Sequence, residues 1–514
     1  MKRIFVLIIV ILIILFFVLR SVYLNKPPET RKRIRSFLAG ILNYILLFTS
    51  VTVIYTVVRE NNQPITTIAW VQVLVFLPVV GFILYIFFGI NYRKKKKFMS
   101  KAKEDFKKID EISQKVNLDY SNTENISQKY QYLEDNKIVR LLKKNKFELT
   151  HQNEIITYTA GQNAIDAIYD DIKKAEKTIN IEYFSIINDR IGKEFRNILL
   201  EAQLKGVQVR LIYDAVGCWT LSSRFFKKLQ KAGAIVVPFM PVTLPILSSK
   251  LNYRNHRKII VIDNKLAYLG GVNFGKKYYS LKKKFGFWRD THLKIKGEAV
   301  NSIQKSFLLD WSYLTDEELD YEDFIVKQEI ENELPLQIVT SGADSSWQNI
   351  MLTYFSLLNL ANDYIYISSP YLVLEESMIT ALKTAALSGI DVRIVLPSFF
   401  DHLIVYLGSK SYYEELLSAG VKIYEYEKGF IHSKVILVDD KYTSIGTANM
   451  DIRSFKQNFE INAMIYSKEF CQKIREQFEQ DFAYSKKVEL AKFKDRNFLL
   501  KTSESLSRLL SPLL

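Results

Sequence analysis

The amino-acid sequence predicts an α/β fold, built as a pseudo-twofold pair of α/β/α sandwich lobes behind an N-terminal transmembrane helical region. Three observations lead to this prediction. Three apolar segments open the chain, one order of strands and helices then occurs twice, and each repeat leads into the same short polar motif. With 514 residues the chain is long enough for two domains of ordinary size, and strands that alternate with helices favour a sheet covered by helices.

The apolar segments predict a membrane region at residues 1–92, with three transmembrane helices at about 4–23, 37–58 and 66–90. The last two are long enough to cross a hydrocarbon core, whereas the first is marginal. The first could also be a signal-peptide core, but no small-x-small cleavage site follows it, which favours an uncleaved anchor. Lys and Arg crowd the first loop and residues 93–97, so the positive-inside rule places everything after the third segment in the cytoplasm.

Residues 93–150 are rich in charged side chains and predict a helical linker without chemistry of its own. The first lobe is predicted at 151–330 and the second at 331–485, followed by an amphipathic tail at 486–514. The tail could dock on a bilayer or pack on the lobes. The predicted elements of the first lobe include strand 178–184, helix 192–205, strand 207–213, helix 223–232 and strand 235–239, and those of the second include strand 364–368, helix 376–388, strand 389–396, helix 412–419 and strand 421–426.

One motif occurs in both lobes and reads H-x-K-x-x-x-x-D, followed by G-[GT]-x-N at an identical distance. Only five histidines occur in the chain, and two of them open this motif, so chance is a poor explanation. Four apolar residues separate Lys from Asp, which indicates a short buried strand. The copies occupy 251–277 and 427–453; their residues are His256, Lys258, Asp263 and Asn273, and His432, Lys434, Asp439 and Asn449.

The spacing of the motif suits chemistry on a phosphodiester. His and Lys are two residues apart and therefore share one face of a strand, and a glycine turn returns the Asn to the same edge. Where the two copies meet, in a cleft between the lobes, one imidazole would attack phosphorus and the other would protonate the leaving alkoxide. The Lys and Asn side chains would hold the non-bridging oxygens. The Asp of each copy lies at the far end of the strand, which favours an orienting or structural role.

At these residues the sequence resembles the phospholipase D superfamily and, within it, bacterial cardiolipin synthases. The subfamily resemblance is carried by Trp288-Arg289-Asp290-Thr291-His292, by Thr340-Ser341-Gly342 and by the stretch 449–455. It implies lobes of the phospholipase D type, a phosphohistidine intermediate formed more often on the first motif histidine, His256, and catalytic status for every His, Lys and Asp of the motif. The reaction that it implies transfers a phosphatidyl group between two phosphatidylglycerol molecules and yields cardiolipin and glycerol.

A carboxylate on the far nitrogen of each motif histidine would fix its tautomer and raise its basicity. Asp290, after the first motif, and Glu460, after the second, fit this supporting role. The family pattern often has Ser after the motif glycine, where this chain has Gly271 and Thr447. Gly271 lacks a hydroxyl, so the sequence predicts one fewer donor to phosphate in the first lobe.

The balance of charges bears on partners. Lys and Arg number 71 against 55 Asp and Glu, a net charge of +16, which fits either nucleic acid or an anionic membrane. With the apolar segments beside it, the membrane is preferred: we expect an anionic phospholipid substrate, phosphatidylglycerol by resemblance, at the bacterial cell membrane, and no nucleic acid. No cofactor or metal is expected, because two Lys and a protonated His supply the positive charge. Two alternatives stay open, a membrane-bound phosphodiesterase that hydrolyses lipid or nucleic acid and a non-catalytic membrane scaffold.

Overall fold

The chain forms two compact units, residues 1–92 and residues 93–514, which are described separately. The computed structural model describes residues 27–59, 64–78, 80–81, 84–85, 107, 128–133, 135–222, 224–241, 253–315, 317, 319, 323–327 and 330–510.

The first unit contains helices α1 (Pro28–Arg59) and α2 (Pro64–Phe76). Each begins at a proline, whose missing N–H is not needed in the first turn of a helix. The predicted segment 37–58 lies within α1, and 66–90 overlaps α2, whereas 4–23 lies outside the described residues. No helix among the residues that the structure describes is both long enough and apolar enough to cross a bilayer, so the predicted transmembrane helices are not confirmed.

The end of the predicted linker packs into the core of the second unit. A 3-10 turn (Gln128–Leu133) leads to α3 (Lys137–Lys144), whose first turn is capped by the side chain of Asn136. Leu133, Ile138 and Leu142 are buried in the same core as the helices of the second half. This stretch therefore stabilises the fold by burying apolar surface.

The first half, from residue 149 to 315, follows the predicted alternation, although the predicted helix 223–232 shortens to α6 because residues 224–226 form turns. Its strands are β1 (Leu149–Ala160), β2 (Thr178–Tyr183), β3 (Gln208–Asp214), β4 (Ile235–Phe239), β5 (Lys258–Ile262), β6 (Leu266–Gly270) and β7 (Phe287–Gly297), and its helices are α4 (Gly161–Lys173), α5 (Arg190–Leu204), α6 (Lys227–Lys231) and α7 (Ala299–Leu314).

The second half, from residue 330 to 510, contains the same seven strands in the same order and four short additional strands, β10, β13, β16 and β18. Its strands are β8 (Glu333–Ser341), β9 (Tyr364–Ser368), β10 (Leu372–Val373), β11 (Asp391–Pro397), β12 (Lys422–Tyr426), β13 (Gly429–Ile431), β14 (Val435–Val438), β15 (Tyr442–Gly446), β16 (Met450–Asp451), β17 (Glu460–Ile465) and β18 (Ser485–Lys487). Its helices are α8 (Asn349–Leu360), α9 (Glu376–Leu387), α10 (Leu403–Lys410), α11 (Tyr413–Ser418), α12 (Ile452–Lys456), α13 (Lys468–Ala483), α14 (Leu490–Lys494) and α15 (Phe498–Leu509).

The two halves share one continuous sheet. The order in the first half is β1-β7-β6-β5-β2-β3-β4, and in the second half it is β8-β17-β15-β14-β9-β11-β12, which is the same topology twice. Antiparallel pairing of β1 with β8 joins them. Three cores cover the sheet, one in each half and a third that contains α7 and α13 and draws side chains from both halves. The predicted α/β fold is confirmed, and the motif strands lie at the centre of each half.

Candidate active site

Each motif is positioned by a central strand that is buried on both faces. In the first half, β5 lies between β2 and β6, and its residues from Lys258 to Ile262 are all buried. In the second half, β14 lies between β9 and β15 in the same way. Because each histidine precedes its strand, both histidines lie at the edge of the sheet where β2 and β9 end.

The segments that carry the histidines cross into the opposite half. The backbone N–H of His256 donates to the carbonyl oxygen of Phe459 at 2.9 Å, and that of His432 donates to the carbonyl oxygen of Arg289 at 2.7 Å. Residues 429–431 also pair in parallel with the first three residues of β7. Phe459 and Arg289 each precede one of the two supporting carboxylates, so the backbone brings every motif histidine next to the carboxylate of the other half.

The first pair is His256 with Glu460. Both carboxylate oxygens of Glu460 lie 2.9 Å from Nδ1 of His256, and the carboxylate is fully buried. Glu460 also accepts hydrogen bonds from the Thr447 hydroxyl at 2.6 Å and from the Asn458 amide at 3.1 Å. A carboxylate at Nδ1 favours the tautomer with its proton on that nitrogen, which leaves Nε2 as the nucleophilic atom.

The second pair is His432 with Asp290. Oδ2 of Asp290 lies 2.8 Å from Nδ1 of His432, and the same carboxylate accepts from the Trp288 indole at 3.2 Å and the Thr291 backbone N–H at 2.8 Å. Gly271 passes so close that a Cβ there would lie 2.0 Å from Oδ1 of Asp290. From the sequence alone, Gly271 indicates a missing hydroxyl donor. In the structure, its missing side chain leaves space for the carboxylate of Asp290.

Both motif lysines are buried beside their histidines. Nζ of Lys258 donates to the carbonyl oxygen of His256 at 2.6 Å, and Nζ of Lys434 donates to that of His432 at 2.5 Å. Burial lowers the pKa of Lys258 to about 7 and that of Lys434 to about 8, and the charge of Lys434 adds to the lowering of Lys258. The two motifs therefore bring two buried amino groups into one site, and an anion bound beside them would favour their protonated forms.

Both histidines are neutral in the unliganded site. Burial lowers the pKa of His256 to about 4, against the opposing effect of Glu460. Burial, followed by the charge of Lys434, lowers the pKa of His432 to about 3. A neutral imidazole is the form that can act as a nucleophile, and both histidines are in this form at neutral pH.

The other motif residues lie in two different places. Asn273 and Asn449 are buried, and within the described residues neither hydrogen-bonds to a motif His or Lys. Asp263 and Asp439 lie at the far ends of β5 and β14, away from the histidines. Asp263 accepts from the backbone N–H groups of residues 176–178 at 2.7–2.9 Å, and Asp439 accepts from those of residues 362–364 at 2.7–2.9 Å. These carboxylates tie each motif strand to the start of its neighbour.

A set of buried polar residues behind His256 escaped the sequence analysis. Asp214, at the end of β3, accepts from the Asn255 backbone N–H at 2.9 Å and from Arg254 at 3.3 Å. Glu182, near the end of β2, accepts from the Asn255 side chain, and Arg257 pairs with Asp310 of α7. The available signal was a carboxylate near the end of a predicted central strand, where a buried side chain needs a polar partner.

In the second half, different residues form the buried polar contacts near His432. Arg289 binds both oxygens of Asp481 on α13 at 2.7 and 2.9 Å, and Ser433, which occupies the place of Arg257 in the motif, shares a 2.7 Å hydrogen bond with Thr291. Aromatic rings complete the surroundings, with Trp288 5.1 Å from the ring of His432. Within the described ranges, no three His, Cys, Asp or Glu side chains are arranged to hold a metal ion.

Comparison with known proteins agrees with this geometry. The family model described as cardiolipin synthase, PLD-like domain matches residues 168–311 and 354–482, the two stretches that contain the crossed pairs. This chain belongs to the cardiolipin synthase family. A second model, described as phospholipase D-nuclease N-terminal, matches residues 46–89.

Individual members of the cardiolipin synthase family resemble the chain over most of its length. Cardiolipin synthase of Geobacillus thermodenitrificans is 41% identical over 479 residues, which cover 93% of this chain and 94% of the relative. Cardiolipin synthase 2 of Bacillus anthracis is 42% identical over 458 residues, 88% of each. Among solved structures, phosphatidylserine synthase of Haemophilus influenzae covers 74% of this chain and 100% of its own, with a TM-score of 0.58 at 15% identity, and this likeness concerns the fold alone.

Proposed function

We propose that this protein is a cardiolipin synthase, which transfers a phosphatidyl group from one phosphatidylglycerol to a second and releases glycerol. The observation that carries the proposal is the pair of crossed histidine–carboxylate contacts, with two buried lysines between them. Two neutral imidazoles with opposite tasks and a buried lysine beside each of them suit a phosphodiester that is cleaved and formed again.

In the first step, Nε2 of His256 attacks phosphorus while Glu460 stabilises the positive charge that develops on the imidazole. The bond from phosphorus to the glycerol oxygen breaks, and His432 donates a proton to that oxygen. Burial, together with the charge of Lys434, holds the pKa of His432 low, and the negative charge of a bound phosphodiester acts in the opposite direction and favours protonation of His432. The product of this step is a phosphatidyl group on His256, with free glycerol.

In the second step, the headgroup hydroxyl of the second phosphatidylglycerol attacks the same phosphorus. His432, now neutral, takes the proton of that hydroxyl, and the bond between phosphorus and Nε2 breaks. His432 thus regains from the acceptor hydroxyl the proton that it gave to glycerol in the first step. Lys258 and Lys434 are assigned to the non-bridging oxygens, and Asn273 and Asn449, which are buried, are assigned to substrate binding.

The proposal extends to the membrane region, its orientation and the bounds of the two lobes. Residues 1–92 attach the protein to the bacterial cell membrane in several passes, with the catalytic region on the cytoplasmic side, and the lobes extend over 151–330 and 331–485. The apolar side chains that α1 exposes, among them Phe37, Tyr44 and Phe48, support the membrane attachment. The cationic flanks of the apolar segments support the orientation.

The test is to express the full chain in a bacterium that lacks cardiolipin and to separate the extracted lipids. We expect cardiolipin with the intact chain, none with His256→Ala or His432→Ala, and unchanged synthesis with His151→Ala, a matched change on β1. If phosphatidic acid accumulates and cardiolipin does not, the protein is a hydrolase and not a synthase. If the intact chain changes no lipid, lipid transfer is refuted, and the non-catalytic membrane scaffold is the remaining hypothesis.

A further inference from the structure

The C-terminal helix α15 is amphipathic in the reverse of the usual sense. A surface helix of a soluble protein normally turns its apolar side chains toward the core and its polar ones toward water. In α15 the buried residues are Glu504, only 3% exposed, and Ser507, whereas Leu499 is 71% exposed and Leu509 76% exposed. Packing of α15 on the domain therefore leaves its apolar face outside.

Polar contacts hold this inner face in place. Arg496 donates to Glu504 at 2.9 Å, which neutralises a buried carboxylate. Arg508 lies 3.5 Å from Glu415 and 4.3 Å above the ring of Tyr412, next to α10 and α11. Glu504 and Arg508 of α15 form these contacts with the domain, so a rotation of the helix that buried its leucines would break them. The exposure of the leucines is built into the fold.

Both α15 and a helix against which it packs expose apolar side chains. Successive residues of an α-helix are about 100° apart, so positions 498, 499, 506, 509 and 510 all lie on one side of α15. Each of these five positions is an exposed Phe or Leu. Helix α10, against which α15 packs, exposes Leu403 and Ile404, and Phe400 lies just before it. We refer to this set on α15 and α10 as the apolar platform. Exposed apolar patches of this kind are typical of surfaces that meet a membrane or a partner.

The surrounding charges favour an anionic bilayer over another protein surface of neutral or positive charge. Residues 486–510 contain seven Lys and Arg against three Asp and Glu, and the five lysines among them lie outside the inward contacts made by Arg496 and Arg508. The exposed loop 282–284 is three consecutive lysines, and Nζ of Lys284 lies 5.0 Å from the ring centre of Phe400. An apolar face rimmed by cations is the composition of helices that lie in the interface of an anionic membrane.

The platform also borders the active site. A cavity is lined by Phe399, Phe400, Tyr406 and Phe430, so it begins beside the first residues of α10. The ring of Phe430 stacks 5.0 Å from that of Trp288 and lies 6.4 Å from that of His432. Apolar side chains thus lead from the platform to one catalytic histidine.

We infer that the apolar platform is a membrane-docking surface, which turns the side of the active site that holds Phe430 and His432 toward an anionic phospholipid bilayer. The inference rests on the proposed function only in the choice of phosphatidylglycerol as the lipid. Docking here would let the acyl chains stay in the bilayer while the headgroup reaches His432. A second copy of the chain is the competing occupant of the same surface.

The test follows the environment of α15 directly. Both native cysteines are buried, so Leu506→Cys in the full chain can be labelled with an environment-sensitive fluorophore. The control is Leu204→Cys, which is exposed to a similar degree before β3, at the edge of the sheet opposite the histidines. The labelled chains are reconstituted into vesicles of phosphatidylcholine with or without phosphatidylglycerol. We expect a blue shift and an emission increase of about twofold or more at position 506 with phosphatidylglycerol, and no change at 204.

Activity gives an independent measure. The triple variant Leu499→Ser, Leu506→Ser and Leu509→Ser should lose at least tenfold of its rate on vesicles and keep its rate within twofold in detergent micelles, where no flat surface is needed. Leu204→Ser with Leu387→Ser is the control. Equal fluorescence at 506 with and without phosphatidylglycerol would overturn the inference. So would a lipid-independent blue shift that disappears when the protein is diluted, since it would mean contact between copies. If the proposed function is wrong, every variant lacks cardiolipin synthesis, but the fluorescence result stays the same.

Discussion

Exchange of one supporting carboxylate for its amide tests the crossed arrangement of the two halves. Glu460→Gln keeps the shape of the side chain and an oxygen for the Thr447 hydroxyl, but it removes the negative charge beside His256. A full positive charge at 2.9 Å attracts that carboxylate by about 6 kcal/mol at an effective dielectric constant of about 20. If half of the charge has formed in the transition state, the loss is about 3 kcal/mol, or roughly 10²-fold in rate.

The amide also affects the tautomer. If its NH₂ group faces Nδ1 of His256, the ring must carry its proton on Nε2, and the nucleophilic atom is then blocked. In a catalytic triad the corresponding exchange lowers kcat by about 10⁴-fold. We therefore expect Glu460→Gln to lower kcat by about 10² to 10⁴-fold, with a melting temperature that shows the protein is folded. Glu317→Gln, a paired carboxylate remote from the histidines, is the matched control and should stay within twofold.

The assay uses a phosphatidyl p-nitrophenyl ester, whose leaving group departs without a proton. The first burst of p-nitrophenolate then requires the nucleophile but not the acid. Glu460→Gln should lose the burst together with His256→Ala, and Asp290→Asn should keep it together with His432→Ala. The reasoning is refuted if Glu460→Gln behaves like His432→Ala, because each carboxylate would then serve the histidine of its own half. If His432 is the nucleophile, the two pairs exchange results but each pair stays together.

Three further predictions concern the surroundings of the histidines. Gly271→Ala places a Cβ 2.0 Å from Oδ1 of Asp290, so it should lower kcat at least tenfold in the lipid assay. Asp439→Ala leaves three backbone N–H groups without their acceptor and should lower the free energy of unfolding by about 3–5 kcal/mol in urea, with little change in the activity of folded molecules. Since burial lowers the pKa of Lys258 to about 7, kcat/KM should fall as the pH rises through about 7, whereas an ordinary lysine keeps its proton to about 10.

Each of these has a control and a contrary result. Thr447→Ser, at the position that matches Gly271 in the second half, keeps the hydroxyl bound by Glu460 and should keep activity. Asp170→Ala, in an exposed ion pair, should change the unfolding free energy by less than about 1 kcal/mol. Normal stability with lost activity in Asp439→Ala would give that residue a direct catalytic task. A kcat/KM that is flat from pH 6 to pH 9 would contradict the lowered pKa of the lysine.

The sequence alone determined the local pieces of this protein. Apolar runs bounded by Gly and polar residues predicted strands such as 364–368 and 435–438 at their observed bounds, because burial on both faces of a central strand requires a continuous apolar run. The repeated motif identified both histidines and both lysines, because a spacing of two on a strand puts them on one side. Asp290 and Glu460 were found as carboxylates that follow the motifs.

Only the tertiary structure decided which groups meet. Asp290 and Glu460 contact the histidines of the opposite halves, because residues 429–431 pair with β7 and Asn255 pairs with Phe459, each more than a hundred residues away in the chain. Nothing in a local pattern encodes such long-range pairing. The orientation of α15 is a similar case, since its wheel has a polar and an apolar side, and only the ion pairs with Arg496 and Glu415 determine that the polar side is buried.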